Sequence, residues 1–203
     1  MEVQILSKDN RVIKDSGQRR QFDTGAVRDI QEGKGRMDLV PIDVLPTLMD
    51  SAEIASVVHH IGEFMQTGAT LQLYLAIHAF NRLTGWTTAQ CVIEVSKHYE
   101  GGANKYGERN WEKGISLHSY IDSGMRHLMK YIDNECDEPH DRAFIWNMLG
   151  AIWTMKHHPE LIDIPFDMLS VGHSDATQVV KMAADISGGE LLYKLMESVK
   201  SDK

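Results

Sequence analysis

Cysteine is scarce in this chain. Only Cys91 and Cys136 occur, far apart and in no C-x-x-C or Cys/His spacing. That excludes a disulfide-stapled scaffold and a zinc finger, and it points to reduced thiols in an intracellular protein. Long apolar runs are missing too: none approaches the roughly 18 residues of a membrane span. The first residues show no signal-peptide pattern, so a cytoplasmic protein is expected. Positive charge is in deficit, with 21 Lys and Arg against 29 Asp and Glu and a formal net charge of -8. A protein whose main business is coating nucleic acid would carry the opposite balance. Also lacking are alternating strand patterns, internal repeats and low-complexity tracts.

What remains is helical periodicity over 203 residues, enough for one domain with a sizeable core. From Pro41 onward Val44, Leu45, Leu48, Met49, Ala52, Ala55, Val58, Ile61, Phe64 and Met65 fall mostly three and four apart, and Gly68 closes the run. A second helix is predicted over about 70–84, closed by Gly85, and Thr87 or Thr88 caps a third beginning TAQCVIEV. After a loop over 104–116, Ser116 or His118 opens a fourth helix to about Ile132. Pro139 suits the first turn of a fifth, which runs to Lys156 with Trp146, Leu149, Ile152 and Trp153 as its core stripe. Two shorter helices, VVKMAADI and LLYKLMESV, are expected near the C-terminus. The fold class is all-α. Residues 1–40 read as an extended Gly/Arg-rich N-terminal arm, either solvated or lying over a site of which it is part, and residues 41–203 as one helical domain.

The unusual chemistry lies between His98 and Asn147. A packed core has no need of the carboxylates, histidines and amides that crowd this stretch, whereas a divalent metal acting on a phosphate compound does. Asp137 and Glu138 stand where a helix dipole favours negative charge, so capping accounts for part of their presence. Glu138 and Asp141 are three apart, and such pairs share a helix face. Two carboxylates there are costly without a cation, and Glu-x-x-Asp holds Mg²⁺ or Mn²⁺ in helical bundles. Glu100 and Asp122 add carboxylates from two further helices. Asp122 and Arg126, four apart, read equally as a surface ion pair. Arg126 suits a phosphate clamp, and His127 suits a phosphate contact, an orienting role or plain packing. In KYGERNW, Lys105 and Arg109 offer charge, Asn110 reads a base edge or holds the loop, and Trp111 is best read as a core plug. Arg19, Arg28, Lys34 and Arg36 lie among glycines that let a backbone approach a triphosphate. His59, His60 and His78 read as packed side chains rather than ligands.

Long ordered motifs carry a resemblance. DSGQRRQFDTGAVRDIQEGKGRMDLVP over 15–41, then EGGANKYGERNWEKG, YIDSGMRHLMKYI and DEPHDRAFIWN, resemble the phage-encoded dATP/dGTP diphosphohydrolases of the MazZ type. The resemblance covers about 15–41 and 98–155. It implies a MazG-like helical bundle that holds Mg²⁺, Mn²⁺ or Co²⁺ and cleaves a purine dNTP between its α- and β-phosphates. It further implies removal of dATP and supply of dGMP for 2-aminoadenine DNA, in a host cytoplasm. The metal set implied here is Glu100, Asp122, Asp137, Glu138 and Asp141, with Glu138 and His140 catalytic. The substrate set is Arg19, Arg28, Lys34, Arg36, Lys105, Tyr106, Arg109, Asn110, Arg126, His127 and Asn147. A homo-oligomer is expected, with no stable nucleic-acid complex. The MazG pattern is Glu-x-x-Glu followed by Glu-x-x-Asp. Only its second half is present, because Glu100 stands alone and Glu108 and Glu112 are four apart.

Two rival classes bear on the same residues. One is a non-catalytic nucleotide-binding regulator, which would release no pyrophosphate. The other is a phage DNA- or partner-binding protein that uses the basic arm, with salt-sensitive DNA binding. His140-Asp141 is also an HD pair, but the further His and Asp of an HD phosphohydrolase have no convincing order.

Overall fold

In a computed structural model, the structure describes Ile13 and residues 16–166. The two expected C-terminal helices and the apolar lead MEVQILS lie outside the described residues. Among the described residues the chain is mostly helical, and the all-α expectation holds. The α-helices are α1 (Ala52–Thr67), α2 (Thr70–Thr84), α3 (Thr88–Tyr106), α4 (Leu117–Ile132) and α5 (His140–His157).

Local chemistry explains most of these boundaries. Ser51 caps α1 by accepting from Ile54 N, and Thr87 and Gln90 form a reciprocal capping box at α3. Gly68 and Gly85 end α1 and α2 in the left-handed conformation, where a Cβ is disfavoured. The first predicted helix starts later than its periodicity suggests. Residues Ile42–Leu48 form a 3-10 segment with Pro46 inside it. Proline removes an amide donor and clashes with the preceding turn, so the α-helix waits for Ser51. At the far end Pro139 precedes α5 instead of entering its first turn.

Helix α5 is the axis of the fold. It packs against α2, α3 and α4, and most of its residues are buried all round, including Phe144, Ile145, Met148 and Ala151. The expected stripe is therefore too narrow: of its four members only Ile152 is buried, and Trp146, Leu149 and Trp153 sit at the margins. Small residues let α4 and α5 approach closely. A Cβ at Gly150 would lie 2.6 Å from Tyr120 Cζ, and one at Gly124 would lie 3.3 Å from Asn147 Cβ. Tyr120, fully buried, packs against α5 at Gly150.

The arm departs from an irregular one. Arg19–Gln21 (β1) and Val27–Asp29 (β2) pair as an antiparallel hairpin, Arg20 opposite Arg28. Gly25, with φ 83°, and the Gly25 N to Phe22 O bond of 2.8 Å make its turn. No alternating apolar pattern announces strands this short and charged, so sequence periodicity passes over them.

Candidate active site

The hairpin, α3, the 107–112 loop, α4, the acidic turn before α5 and α5 itself enclose a cavity of about 1230 Å³. Two devices hold the hairpin in place. Asn110, nearly buried, accepts from Val27 N at 2.9 Å and donates to Val27 O at 2.8 Å, so its amide continues the strand edge. On the other side Asp122, fully buried, accepts from Met37 N and Gln31 Nε2, both at 2.8 Å, and from Arg126. Arg126 Nε also donates to Lys34 O at 3.2 Å. Asp122 is thus spent on tying the arm to α4. It does not line the cavity, and Asn110 is a clamp on the strand.

Pinning Val27 carries Arg28 inward. Its guanidinium donates to Ser119 O at 3.2 Å and to Asn147 Oδ1 at 3.0 Å. It lies 5.4 Å from the ring centres of both Tyr120 and Trp146. Burial is the main reason its pKa is pushed down to about 10, so it stays charged at neutral pH. Asn147 Nδ2 returns to Ala143 O at 2.7 Å, which fixes the amide that orients Arg28.

The other implied arm and loop residues separate into two groups. Lys34, Lys105, Tyr106, Arg109, Arg126 and His127 line the cavity. Burial lowers the Lys34 pKa, with Arg126 and Lys105 adding to the effect and Asp29 and Glu138 opposing it. Burial also works against the Lys105 charge, but hydrogen bonds to Asp29, at 2.7 Å, and to Tyr106 outweigh it and the pKa rises. Arg109 leans on Glu112 at 2.5 Å and is mostly exposed. Arg19 pairs with Asp29 at 2.9 Å over the Tyr106 ring, and Arg36 pairs with Asp38 at 2.5 Å; neither lines this cavity.

At the acidic turn the expected carboxylate set divides. Glu100 is exposed at the cavity rim, away from the others. Asp141 is buried, with Oδ1 accepting from Arg142 N at 2.8 Å, and does not line the cavity. Because Glu138 precedes α5, it does not share a helix face with Asp141. It turns toward His127, with Oε1 4.0 Å from Nδ1. His127 Nδ1 lies 2.9 Å from His140 Nδ1, and His140 Nε2 lies 2.5 Å from Asp137 Oδ1. Lys130 braces the turn, 2.7 Å from Glu135 and 3.3 Å from Asp137.

This constellation fits a metal ion. One ligand atom each from His127, Glu138 and His140 falls within 4.8 Å of the others, and Glu135, Asp137 and His140 form a second, overlapping group. If Nε2 of His140 donates its proton to Asp137, Nδ1 presents a lone pair toward His127. Two imidazole nitrogens 2.9 Å apart suit ligands held about 2.0–2.1 Å from one cation. A carboxylate behind a ligating histidine is the usual way of fixing its tautomer. Burial first, then the neighbouring His140, His98 and Arg126, keep the His127 pKa well below its usual value, leaving the neutral form that binds metals.

Other cavity residues carry no motif. Asp29 holds both Arg19 and Lys105. His98, tilted 44° against Trp146 at 5.7 Å, has a buried Nδ1 with no partner. The only signal for Asp29 was its place between strand-like residues in a basic segment, and His98 looked like any polar helix residue.

Residues 80–164 match the family model described as dATP/dGTP diphosphohydrolase, N-terminal. That stretch runs from the end of α2 through all of α3, α4 and α5, and contains both groups that could hold a metal ion. No curated protein and no solved structure matches the chain.

Proposed function

We propose that the cavity hydrolyses purine deoxynucleoside triphosphates to the monophosphate and pyrophosphate, a reading supported by the match of residues 80–164 to the family model described as dATP/dGTP diphosphohydrolase, N-terminal. The observation that carries this reading is one cavity lined by His127, Asp137 and Glu138, with His140 buried behind them, and also by Lys34, Lys105 and Arg126. The hairpin arm and the helices act here as one domain, since the arm supplies a wall of the site. In a phage this reaction would remove dATP and supply dGMP for 2-aminoadenine nucleotides.

His127, Glu138 and His140 would hold the metal, with Asp137 behind His140. A bound divalent ion lowers the pKa of water and neutralises phosphate charge. Two imidazoles and one carboxylate suit Mn²⁺ or Co²⁺ better than Mg²⁺, which prefers oxygen donors. Lys34 and Arg126 meet the phosphates beyond the reacting one, where charge grows as pyrophosphate leaves. Glu138 orients the attacking water and accepts its proton. The hairpin roof keeps bulk water from the phosphates, which strengthens each of these contacts.

The test is incubation with dGTP and dATP in ¹⁸O-labelled water, with Mn²⁺, Co²⁺ or Mg²⁺. We expect pyrophosphate, and label in the monophosphate alone. Label in pyrophosphate would place attack at the β-phosphate. A nucleoside or diphosphate as first product, or no turnover at all, would overturn the reading.

A further inference from the structure

Arg20 and Arg28 stand directly opposite each other across β1 and β2. Opposed residues of an antiparallel pair share a face, and like charges placed there repel. Both line the cavity, so the shared face is the inner one. Five other arginines, Arg19, Arg36, Arg109, Arg126 and Arg142, each pair with a carboxylate. Among the described residues no carboxylate pairs with Arg20 or Arg28. Arg20 donates to Gln31 Oε1 at 2.6 Å, and Arg28 donates to a carbonyl and an amide oxygen. Arg20 Nε is buried with no hydrogen-bond partner.

The wall around this pair adds charge of the same sign, since Lys34 and Arg126 line the same cavity. Burial weakens the Arg20 charge most, Asp122 supports it, and Arg126 and Arg36 weaken it further. Asp122 is already bonded to Arg126, to Gln31 Nε2 at 2.8 Å and to Met37 N at 2.8 Å. Repulsion inside a partly buried wall is screened less than at an open surface. The strands differ in how they are fastened. Strand β2 is tied to the helices through Val27 to Asn110, Arg28 to Ser119 and Asn147, and Asp29 to Lys105. Thr24 Oγ1, in the turn, donates to Gly114 O. Movement therefore falls to β1, which carries Arg20 and is three residues long.

We propose that β1 is a lid on the cavity, closed by the polyphosphate beneath it. Without an anion, repulsion from Arg28 loosens Arg20 and its strand. When phosphates enter, both guanidinium groups turn onto their oxygens through charge-assisted hydrogen bonds, and the strand is drawn down. The ligand class is a polyphosphate anion; only its identity as a nucleotide rests on the reading above. The anion thus completes the roof that shields it from water.

The test is hydrogen–deuterium exchange of the full chain, with Mn²⁺ present, read on β1 peptides against α5 amides as control. The probe is inorganic tripolyphosphate, compared with sodium chloride at equal ionic strength. In wild type, tripolyphosphate should slow β1 exchange roughly 10- to 100-fold, the worth of a charge-assisted bond or two, and chloride should not. Arg20→Gln removes the repulsion. Without anion its β1 should exchange no faster than wild type, and tripolyphosphate should slow it by less than about threefold. Faster exchange in anion-free Arg20→Gln would make Arg20 a plain brace, and full protection of that variant by tripolyphosphate would remove it from the device; either result overturns the proposal. Wild type alone keeps the test decisive should the variant misfold: no slowing at any tripolyphosphate concentration, whether or not it binds, refutes the lid. Protection by tripolyphosphate but not by a non-hydrolysable α,β-imido dGTP analogue would leave the lid standing and sink the nucleotide reading.

Discussion

Asn110 gives the sharpest test of how the site is assembled. Its amide makes two hydrogen bonds to Val27, of 2.9 and 2.8 Å. Replacing it by alanine removes both and leaves Val27 N–H and C=O facing a gap. At about 1 kcal/mol per bond, plus part of the desolvation cost of the orphaned groups, the loss is roughly 2–3 kcal/mol. The hairpin keeps its ties from Asp29 to Lys105 and from Arg28 to Ser119 and Asn147, so this energy should appear as local opening around Val27. A loss of about 2 kcal/mol corresponds to roughly 30-fold faster exchange of the hairpin amides. Hydrogen–deuterium exchange followed by mass spectrometry on peptides covering 18–30 measures it, with the α5 amides as an internal control. Asn110→Asp sharpens the point. A carboxylate still accepts from Val27 N but sets a second acceptor against Val27 O, so it should protect no better than alanine. Exchange in Asn110→Ala within twofold of wild type, or restoration by aspartate, would refute the clamp.

Three further outcomes are expected. Gly150→Ala should drive a methyl into the Tyr120 ring and cost about 1–3 kcal/mol, lowering Tm by roughly 3–8 °C. Gly124→Ala meets chiefly the flexible end of Met148 and should cost less; equal drops in thermal melts would count against that distinction. Glu138→Gln should reduce dGTP turnover at least about 100-fold while the melting curve is retained, and turnover at the wild-type rate would remove Glu138 from the chemistry. Burial, aided by Arg28, Arg142 and Lys105, pushes the His98 pKa down to about 3 from an ordinary 6.5. The unfolded chain therefore takes up a proton below pH 6.5 that the folded chain refuses until near 3, so this contribution is complete above 6.5 and declines as pH falls through that window. Urea midpoints between pH 7 and 4 should fall less steeply in His98→Phe than in wild type; parallel slopes would contradict the assignment.

The helices were legible in the sequence because their signals are local. The Thr87 to Gln90 spacing, the closing glycines and the apolar periodicity each act within a turn or two. Pro46 was a local signal as well, but the apolar spacing on either side masked it. The site was legible by composition and not by role. Asp122 looked like a ligand because its sequence neighbours do not reveal that the arm folds over it. Glu138 and Asp141 have helix spacing, yet the helix begins between them. His127 and His140 lie on separate helices, and only the antiparallel packing of α4 against α5 brings their Nδ1 atoms to 2.9 Å. The resemblance found the stretch in which all this happens, without the pairing of its parts.

The ties that hold the arm span long stretches of chain. Val27 waits for Asn110, 83 residues later; Met37 waits for Asp122, 85 later; Arg28 waits for Asn147, 119 later. During synthesis, at roughly 5–20 residues per second, the arm therefore leaves the ribosome several seconds before its partners. Its hairpin has too few strands to persist alone in water. The pairs α1 with α2 and α4 with α5 wait far less, because each packs on its neighbour in sequence, whereas α3 waits for α5. The cavity is thus roofed last, by the segment made first. A chain truncated before α5 would leave the arm with neither the Asn147 anchor nor a cavity to cover, so partly made copies would be inert toward the nucleotide pool.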